Sequence, residues 1–555
     1  MKKYGVFIGM FFLVFMIVFT GISLTKNIGK NKKTISKESA EKQLDRLVSN
    51  IVPLEAEKVK SPVDYQEIDV AEELPDIKTC KVPVEASSDY FAEIYSSPEK
   101  AGTGTDGWLV EMAEEFNRKG IKVNGKTASV QIRNVNSGQA VDYVSSGKAV
   151  PDAITPSSSL WIDMLNAKGV KTKTINEKMV GNVAGIVISK KKEKEISEKY
   201  GGIDIKSITE AVEAGDIKMG YTNPFASSSG MNYLISTLIR YDSSNPLSEK
   251  ARNGFLAFQK NIPLVALTTM QMRNAAEKGT LDAFILEYQS YVNDSNISKN
   301  YCFKPYGYRH DNPLVMVSGS DKEDILKAFS DYCDKNGKDL AEKYGFNQKD
   351  NYKCEYDKVS GNILMEAQKM YKDNKDVGQE VIGVFVADTS GSMNGEPITA
   401  LKESLINSMN YINNNNYIGL VSYSDEVTVE LPIAKFDLEQ QSYFKGAVER
   451  LSPSGSTATF DAICVGLQML QKEMKTHKNA RPMLFVLSDG ETNSGYSYRE
   501  VHDVIDALNI PIYTIGYNAN IDALKKISEI NEAGSINADT DDIVYQLKLL
   551  FNMSF

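Results

Sequence analysis

Twelve consecutive residues decide the fold: Val381-Ile382-Gly383-Val384-Phe385-Val386-Ala387-Asp388-Thr389-Ser390-Gly391-Ser392. Residues 381–387 form an unbroken run without a polar side chain, too short for a buried helix and rich in β-branched and aromatic residues. Such a run predicts a strand covered on both faces, the kind found in parallel sheets. It stops at a carboxylate, turns through Ser and Gly, and gives way to the amphipathic pattern 397–412, so the unit reads strand, turn, helix.

The same rhythm continues to the end of the chain. Strands are expected at 417–423, 483–487 and 512–517, and helices at 444–451, 460–474, 499–508, 524–530 and 543–550. Alternation of this kind predicts a mostly parallel sheet with helices on both sides. Ligands of such sheets gather at the C-terminal ends of the strands.

Three segments are expected at that edge. Asp388, Ser390 and Ser392 lie on the first turn, Ser454-Gly455-Ser456-Thr457 precede a helix, and Ser488-Asp489-Gly490 end a later strand. Two carboxylates, Asp388 and Asp489, with three alcohols, Ser390, Ser392 and Thr457, make a hard oxygen set. It suits Mg²⁺, or Mn²⁺ or Ca²⁺ in its place, far better than zinc or copper. Mg²⁺ takes about six oxygens and keeps several waters. With only two negative ligands the ion stays electrophilic, and an open position would attract an acidic side chain from outside. A D-x-S-x-S string alone is weak, since the serines could simply cap the following helix. The later Thr and Asp, arriving in order, strengthen it.

With these residues, the stretch from 377 to 555 resembles the von Willebrand factor A domain. That family's metal-ion-dependent adhesion site carries D-x-S-x-S plus a distal Thr and Asp. The carrying segments are 381–392, 454–463 and 485–490, and Asp388, Ser390, Ser392, Thr457 and Asp489 match all five ligand positions. The resemblance implies a Rossmann-like domain at 378–555 that binds a protein partner through Mg²⁺. It names no partner.

The whole chain has 555 residues, enough for several domains, with 42% hydrophobic and 25% charged residues, ordinary globular values. A net charge of −10 argues against nucleic acid, which needs a basic stripe. The three histidines, His310, His477 and His502, are too scattered for a zinc site or a triad. There is no HExxH, Walker A or GxSxG pattern. Five cysteines show no metal-ligand spacing, and a pairing of Cys302 with Cys333 or Cys354 stays open.

At the start, Lys2 and Lys3 precede an apolar run over 4–24, long enough to span a bilayer. Residues 1–25 are therefore expected to be a transmembrane anchor, or a signal segment if cleaved. Lys26, Lys30, Lys32, Lys33 and Lys37 would prefer the cytoplasm, but large domains behind such a segment are generally exported. The expectation is a single-pass protein with its bulk outside the cell, or a secreted one. Residues 26–85 are dominated by Lys, Glu, Asp and Ser and predict a stalk.

The block 86–371 alternates helical and strand patterns, with polar turns at 137–139, 155–159 and 222–230, each ahead of a helix. Helix N-termini of this type can hold an anion or polar solute, or the hydroxyls can serve as plain caps. The block resembles a bacterial extracellular solute-binding protein through 143–147, 151–161, 220–230, 279–291 and 306–317. The resemblance implies two α/β lobes closing on a small polar or anionic solute, with Ser137, Ser158, Ser228 and Tyr288 as lining candidates. Trp108 and Trp161 belong either there or in the core.

Together these readings predict a membrane-tethered extracellular binding protein: a cation-dependent domain for a protein partner and a middle domain for a solute. The alternative is a solute receptor of a transport system with an accessory C-terminal domain. A cytoplasmic assembly factor follows only if the post-helix lysines set the topology. A hydrolase would need a general base beside the metal, and none can be placed there, so no enzyme is expected.

Overall fold

The computed structural model describes residues 35–63, 74–262, 264–266, 272, 281–374, 380–490, 492–517 and 535–538. It opens on helix α1 (Lys37–Ile51) and the two-residue strand β1 (Leu54–Glu55). The first lobe then gathers β2 (Tyr90–Ser96), β3 (Lys122–Val123), β4 (Lys126–Asn134), β5 (Ala153–Thr155) and β6 (Thr172–Asn176). The chain crosses to a second lobe of β7 (Asn182–Ser189), β8 (Met219–Thr222), β9 (Leu264–Ala266), β10 (Ala283–Glu287) and β11 (Tyr301–His310). It returns with β12 (Leu314–Val317), which joins the first sheet. The strand orders are β3-β4-β2-β5-β12-β6 and β11-β7-β10-β8-β9. Two short crossings therefore link two α/β lobes, as expected. Helices α2 (Ser137–Ser146) and α3 (Leu160–Ala167) follow strands of the first lobe, and α4 (Ser228–Tyr241) follows β8 of the second. Helix α5 (Gly361–Asn374) leads out of the lobes.

The C-terminal domain runs through β13 (Val381–Asp388), α6 (Glu396–Ser408), β14 (Tyr417–Tyr423), β15 (Val427–Lys435), α7 (Leu438–Arg450), α8 (Thr459–Met474), β16 (Arg481–Ser488), α9 (Tyr498–Leu508), β17 (Ile512–Tyr517) and β18 (Ser535–Ala538). Its sheet has the order β1-β15-β14-β13-β16-β17-β18, with β14 and β15 antiparallel. All eight residues of β13 are buried. Alternate residues point opposite ways, as strand geometry requires. Ile382, Val384 and Val386 pack in a cluster with Phe460, Ile463 and Val504, while Val381, Phe385 and Ala387 join Leu401, Leu405 and Phe444. Helices thus cover both faces.

Two elements depart from the sequence reading. Residues 37–63, expected as part of a stalk, are docked on the C-terminal domain. Ala40, Leu44 and Val48 stand four apart among charged neighbours, a narrow apolar stripe, and that stripe is buried in the cluster of α8 and α9. Beyond it, β1 pairs in parallel with β15 through Leu54 and Thr428. Ser61 then donates its N–H to Ser442 O (3.0 Å), and Lys445 Nζ donates to Pro62 O (2.7 Å). The second departure is β15, which no pattern announced. Pro432 breaks its run, and the structure accommodates that proline between the pairs Leu420–Leu431 and Ile418–Ala434, where the register shifts.

The apolar segment 1–25 and the helices expected at 524–530 and 543–550 lie outside the described residues. Among the described residues, no helix is long and apolar enough to cross a membrane. Cys302, Cys333 and Cys354 are free thiols, so neither open pairing of Cys302 is made.

Candidate functional site

Strand β13 delivers Asp388 to the C-terminal edge of the sheet, fully buried. Its carboxylate is held from both sides. Ser390 N–H donates to Oδ1 (2.8 Å), Ser488 Oγ donates to Oδ2 (2.5 Å), and Tyr423 OH donates to Oδ2 (3.3 Å). Ser488 ends β16 and Tyr423 ends β14, so the two neighbouring strands aim the acid. Along the turn, Ser390 Oγ and Ser392 Oγ lie 3.1 Å apart, and Ser392 Oγ donates to Asp489 Oδ1 (2.9 Å). Asp388, Ser390, Ser392 and Asp489 therefore form one connected cluster. Burial, and in part the charge of Asp388, hold the half-buried Asp489 carboxyl above its ordinary range, while the Ser392 hydroxyl pulls it down.

The loop carrying Thr457 is brought to the same place by the backbone. Gly391 N–H donates to Gly455 O (3.0 Å), and Ser454 N–H donates to Thr389 O (2.7 Å). Thr457 itself is buried. Its N–H donates to Asn493 Oδ1 (2.8 Å), and its carbonyl accepts from Thr492 Oγ1 (2.8 Å) and Asn493 N–H (3.0 Å). Asp425 accepts from the N–H of Ser456 (3.1 Å) and from its hydroxyl. At Gly455, φ is +74°, and a Cβ would meet Asp425 Oδ2 at 2.0 Å, so both backbone angle and space demand glycine there.

The donor set fits a hard cation. Among the described residues no three His, Cys, Asp or Glu groups gather as a metal cluster; this set instead has two carboxylates completed by hydroxyls. Asp388 and Asp489, close enough to raise the proton affinity of one of them, make a pair that a divalent ion would neutralise. Asp388, Ser390, Ser392, Thr457 and Asp489 would hold it. Sequence reasoning missed Ser488, Tyr423, Asp425 and Asn493, which position the candidates; only Ser488, next to Asp489 at a strand end, carried any local signal.

In the middle domain three of the four candidate lining residues converge. Ser157 N–H donates to Ser137 Oγ (3.4 Å), Leu160 N–H to Ser158 Oγ (3.3 Å), and Trp161 Nε1 to Ser228 Oγ (2.8 Å), the last from the first lobe to the second. A Cβ on Gly138 would stand 2.0 Å from Phe225 O, so α2 starts hard against the turn before α4. The N-termini of α2, α3 and α4 thus meet between the lobes. Tyr288 is not with them. It opens the short helix Tyr288–Asn293 after β10, and its ring packs against Tyr291 and Phe303 beneath Lys349 Nζ. Trp161 lies at the lobe junction, whereas Trp108 is core, its indole N–H donating to Gly337 O (2.9 Å).

Lys100, which no motif flagged, is fully buried nearby. Its Nζ donates to Ser97 Oγ (2.6 Å) and Thr155 O (2.6 Å), with Glu99 at 3.7 Å. Burial lowers its ammonium to about 8 against the pull of Glu99 and Glu287. Glu287 in turn pairs with His310 (2.7 Å) and accepts from Asn182 Nδ2 (2.7 Å). Gln289 closes the lobes again by donating to Thr105 O (2.9 Å) and Asp106 Oδ1 (2.8 Å).

Residues 384–548 match the family profile described as von Willebrand factor type A domain, and residues 101–347 match that of the bacterial extracellular solute-binding proteins. Among curated relatives, inter-alpha-trypsin inhibitor heavy chain H3 of Bos taurus is 28% identical over 149 residues, 25% of this chain and 16% of the relative. Heavy chain H1 of Sus scrofa is 28% identical over 168 residues, 28% of this chain and 17% of that protein. The chain therefore spans less than a fifth of the length of these relatives. Among solved structures, iron-bound HitA from Pseudomonas aeruginosa aligns with a TM-score of 0.37 and 14% identity, over 52% of this chain and 99% of its own. A von Willebrand factor type A structure from Catenulispora acidiphila aligns at 0.29 and 19%, over 31% of this chain and 42% of that one.

Proposed function

We propose that the C-terminal domain of this binding protein grips a protein partner through a divalent cation, Mg²⁺ or its substitutes Mn²⁺ and Ca²⁺, held by Asp388, Ser390, Ser392, Thr457 and Asp489. The ion would present an open position to an acidic side chain of the partner. The observation that carries this reading is the hydrogen-bonded cluster of two adjacent acids and two alcohols at the sheet edge. In the same reading the middle domain takes up a small polar or anionic solute where Ser137, Ser158 and Ser228 meet beside Lys100. Residues 1–25 tether the chain to the membrane with its bulk outside. The role assigned is binding, not catalysis.

Melting the full chain in Mg²⁺ and in EDTA tests the central part. A ligand at a hundred times its Kd stabilises by about 2.7 kcal/mol. Mg²⁺ is therefore expected to raise the melting temperature by several degrees, and Asp388→Ala to abolish the rise. Equal melting of the wild type in both solutions sinks the proposal.

A further inference from the structure

The docked N-terminal segment touches the loop that follows Asp489, at Tyr496. Asn50 Nδ2 of α1 donates to Tyr496 OH (3.3 Å), and that hydroxyl donates to Leu47 O (3.5 Å). The N–H of Tyr496 donates to Asp461 Oδ1 in the first turn of α8 (2.7 Å). Just before it, Gly495 has φ +71°, and a Cβ there would meet Asp461 Oδ1 at 2.5 Å. The loop so fastened begins directly after Asp489 and Gly490, and through Thr492 and Asn493 it holds the backbone of Thr457. The segment also reaches both helices that flank the Thr457 loop. Gln468 Nε2 of α8 donates to Asp45 Oδ1 (2.8 Å), and Ser442 Oγ of α7 donates to Ser61 O (2.7 Å). On α7, a Cβ on Gly446 would stand 2.1 Å from Val59 O, so the segment lies directly on the helix backbone.

We infer that residues 35–63 are a strap that positions Thr457 and Asp489 against the Asp388 turn, so that its docking sets how tightly the cation is held. The inference rests on the metal reading above. With the strap seated, the 492–496 loop is pinned at both ends, at α1 and at Thr457. With it lifted, that loop keeps its bonds to Asp461 and Thr457 but loses its tie to α1, and its hold on the backbone of Thr457 loosens.

The test uses the full chain with Asn50→Ala and with Tyr496→Phe. Asn50 is exposed, so its loss leaves the core intact. Mn²⁺ is titrated and followed by electron paramagnetic resonance, and amide hydrogen exchange of 492–497 is read in metal-free protein. Losing a hydrogen bond of this kind is expected to weaken Mn²⁺ about three- to tenfold and to speed exchange in that loop. A structural role alone would lower the melting temperature and leave Mn²⁺ affinity within about twofold; that result, with unchanged exchange, overturns the inference. Should the wild type take up no Mn²⁺, the metal reading has failed, and exchange alone decides whether the strap holds the loop.

Discussion

Asp388 accepts three hydrogen bonds, and the shortest comes from Ser488. Ser488→Ala leaves every candidate ligand in place but removes the shorter of the two hydrogen bonds to Asp388 Oδ2. A hydrogen bond to a charged group contributes about 1.5–3 kcal/mol, so Mn²⁺ affinity is expected to fall roughly tenfold or more, with calorimetric titration as the check. Lys100 makes a different prediction. Its ammonium is lowered by burial from 10.5 to about 8, so between those values the unfolded chain binds a proton that the folded chain has lost. Stability then rises with pH across that window and is flat below it. Lys100→Met has nothing to titrate. The melting temperature of the wild type should therefore gain on that of the variant from pH 8 toward pH 10, and a constant gap would contradict the assignment. The places of Asp388, Ser390, Ser392, Thr457 and Asp489 on the strand-to-helix connections were legible, because apolar runs and helix patterns on either side fix where those connections fall. Lys100 was not, since only the tertiary fold decides which lysine is swallowed. Tyr288 stands apart from the three serines because its ring packs on Tyr291 and Phe303, a tertiary contact that no local pattern announces.

At the scale of elements, β13 was readable from its double-sided apolar run, and its helices from their periodicity. The strap was not. Only Ala40, Leu44 and Val48 mark the buried face of α1 amid charged residues, and β1 has two residues, too few for any strand pattern. Strand β15 hid behind Pro432. The strap yields its own prediction through Gly446, whose missing side chain lets the backbone at Val59 lie on α7. Gly446→Ala inserts a methyl group into that contact. Overpacking costs about 1–3 kcal/mol, and limited proteolysis should cut near 56–63 sooner than in the wild type. Identical digestion would show that the segment does not need this seat.

Over the whole molecule, the three bodies are joined away from the candidate cation edge. Helix α5 binds both lobes: a Cβ on Gly361 would stand 2.0 Å from Asp163 O, and Gln368 Nε2 donates to Pro224 O (2.9 Å). At the far end of the C-terminal sheet, Arg481 Nη2 at the start of β16 donates to Ile262 O of the second lobe (3.2 Å). The strands run from that junction to Asp388 and Asp489 at the opposite edge, which leaves the candidate site facing away from the lobes. Two domains and their order were legible because each has its own rhythm of strands, but the split of the C-terminal unit between residues 35–63 and 380–538 was not, since it depends on a contact some four hundred residues apart in sequence. The account stands on the convergence of five oxygen ligands upon one ion. An anomalous difference map from a crystal of the full chain grown in Mn²⁺ tests it most directly. It should show a single peak about 2.1 Å from Ser390 Oγ and Ser392 Oγ, facing Asp388, Thr457 and Asp489. A map with no peak there, or with the ion bound elsewhere and Thr457 turned from Asp388, would contradict it.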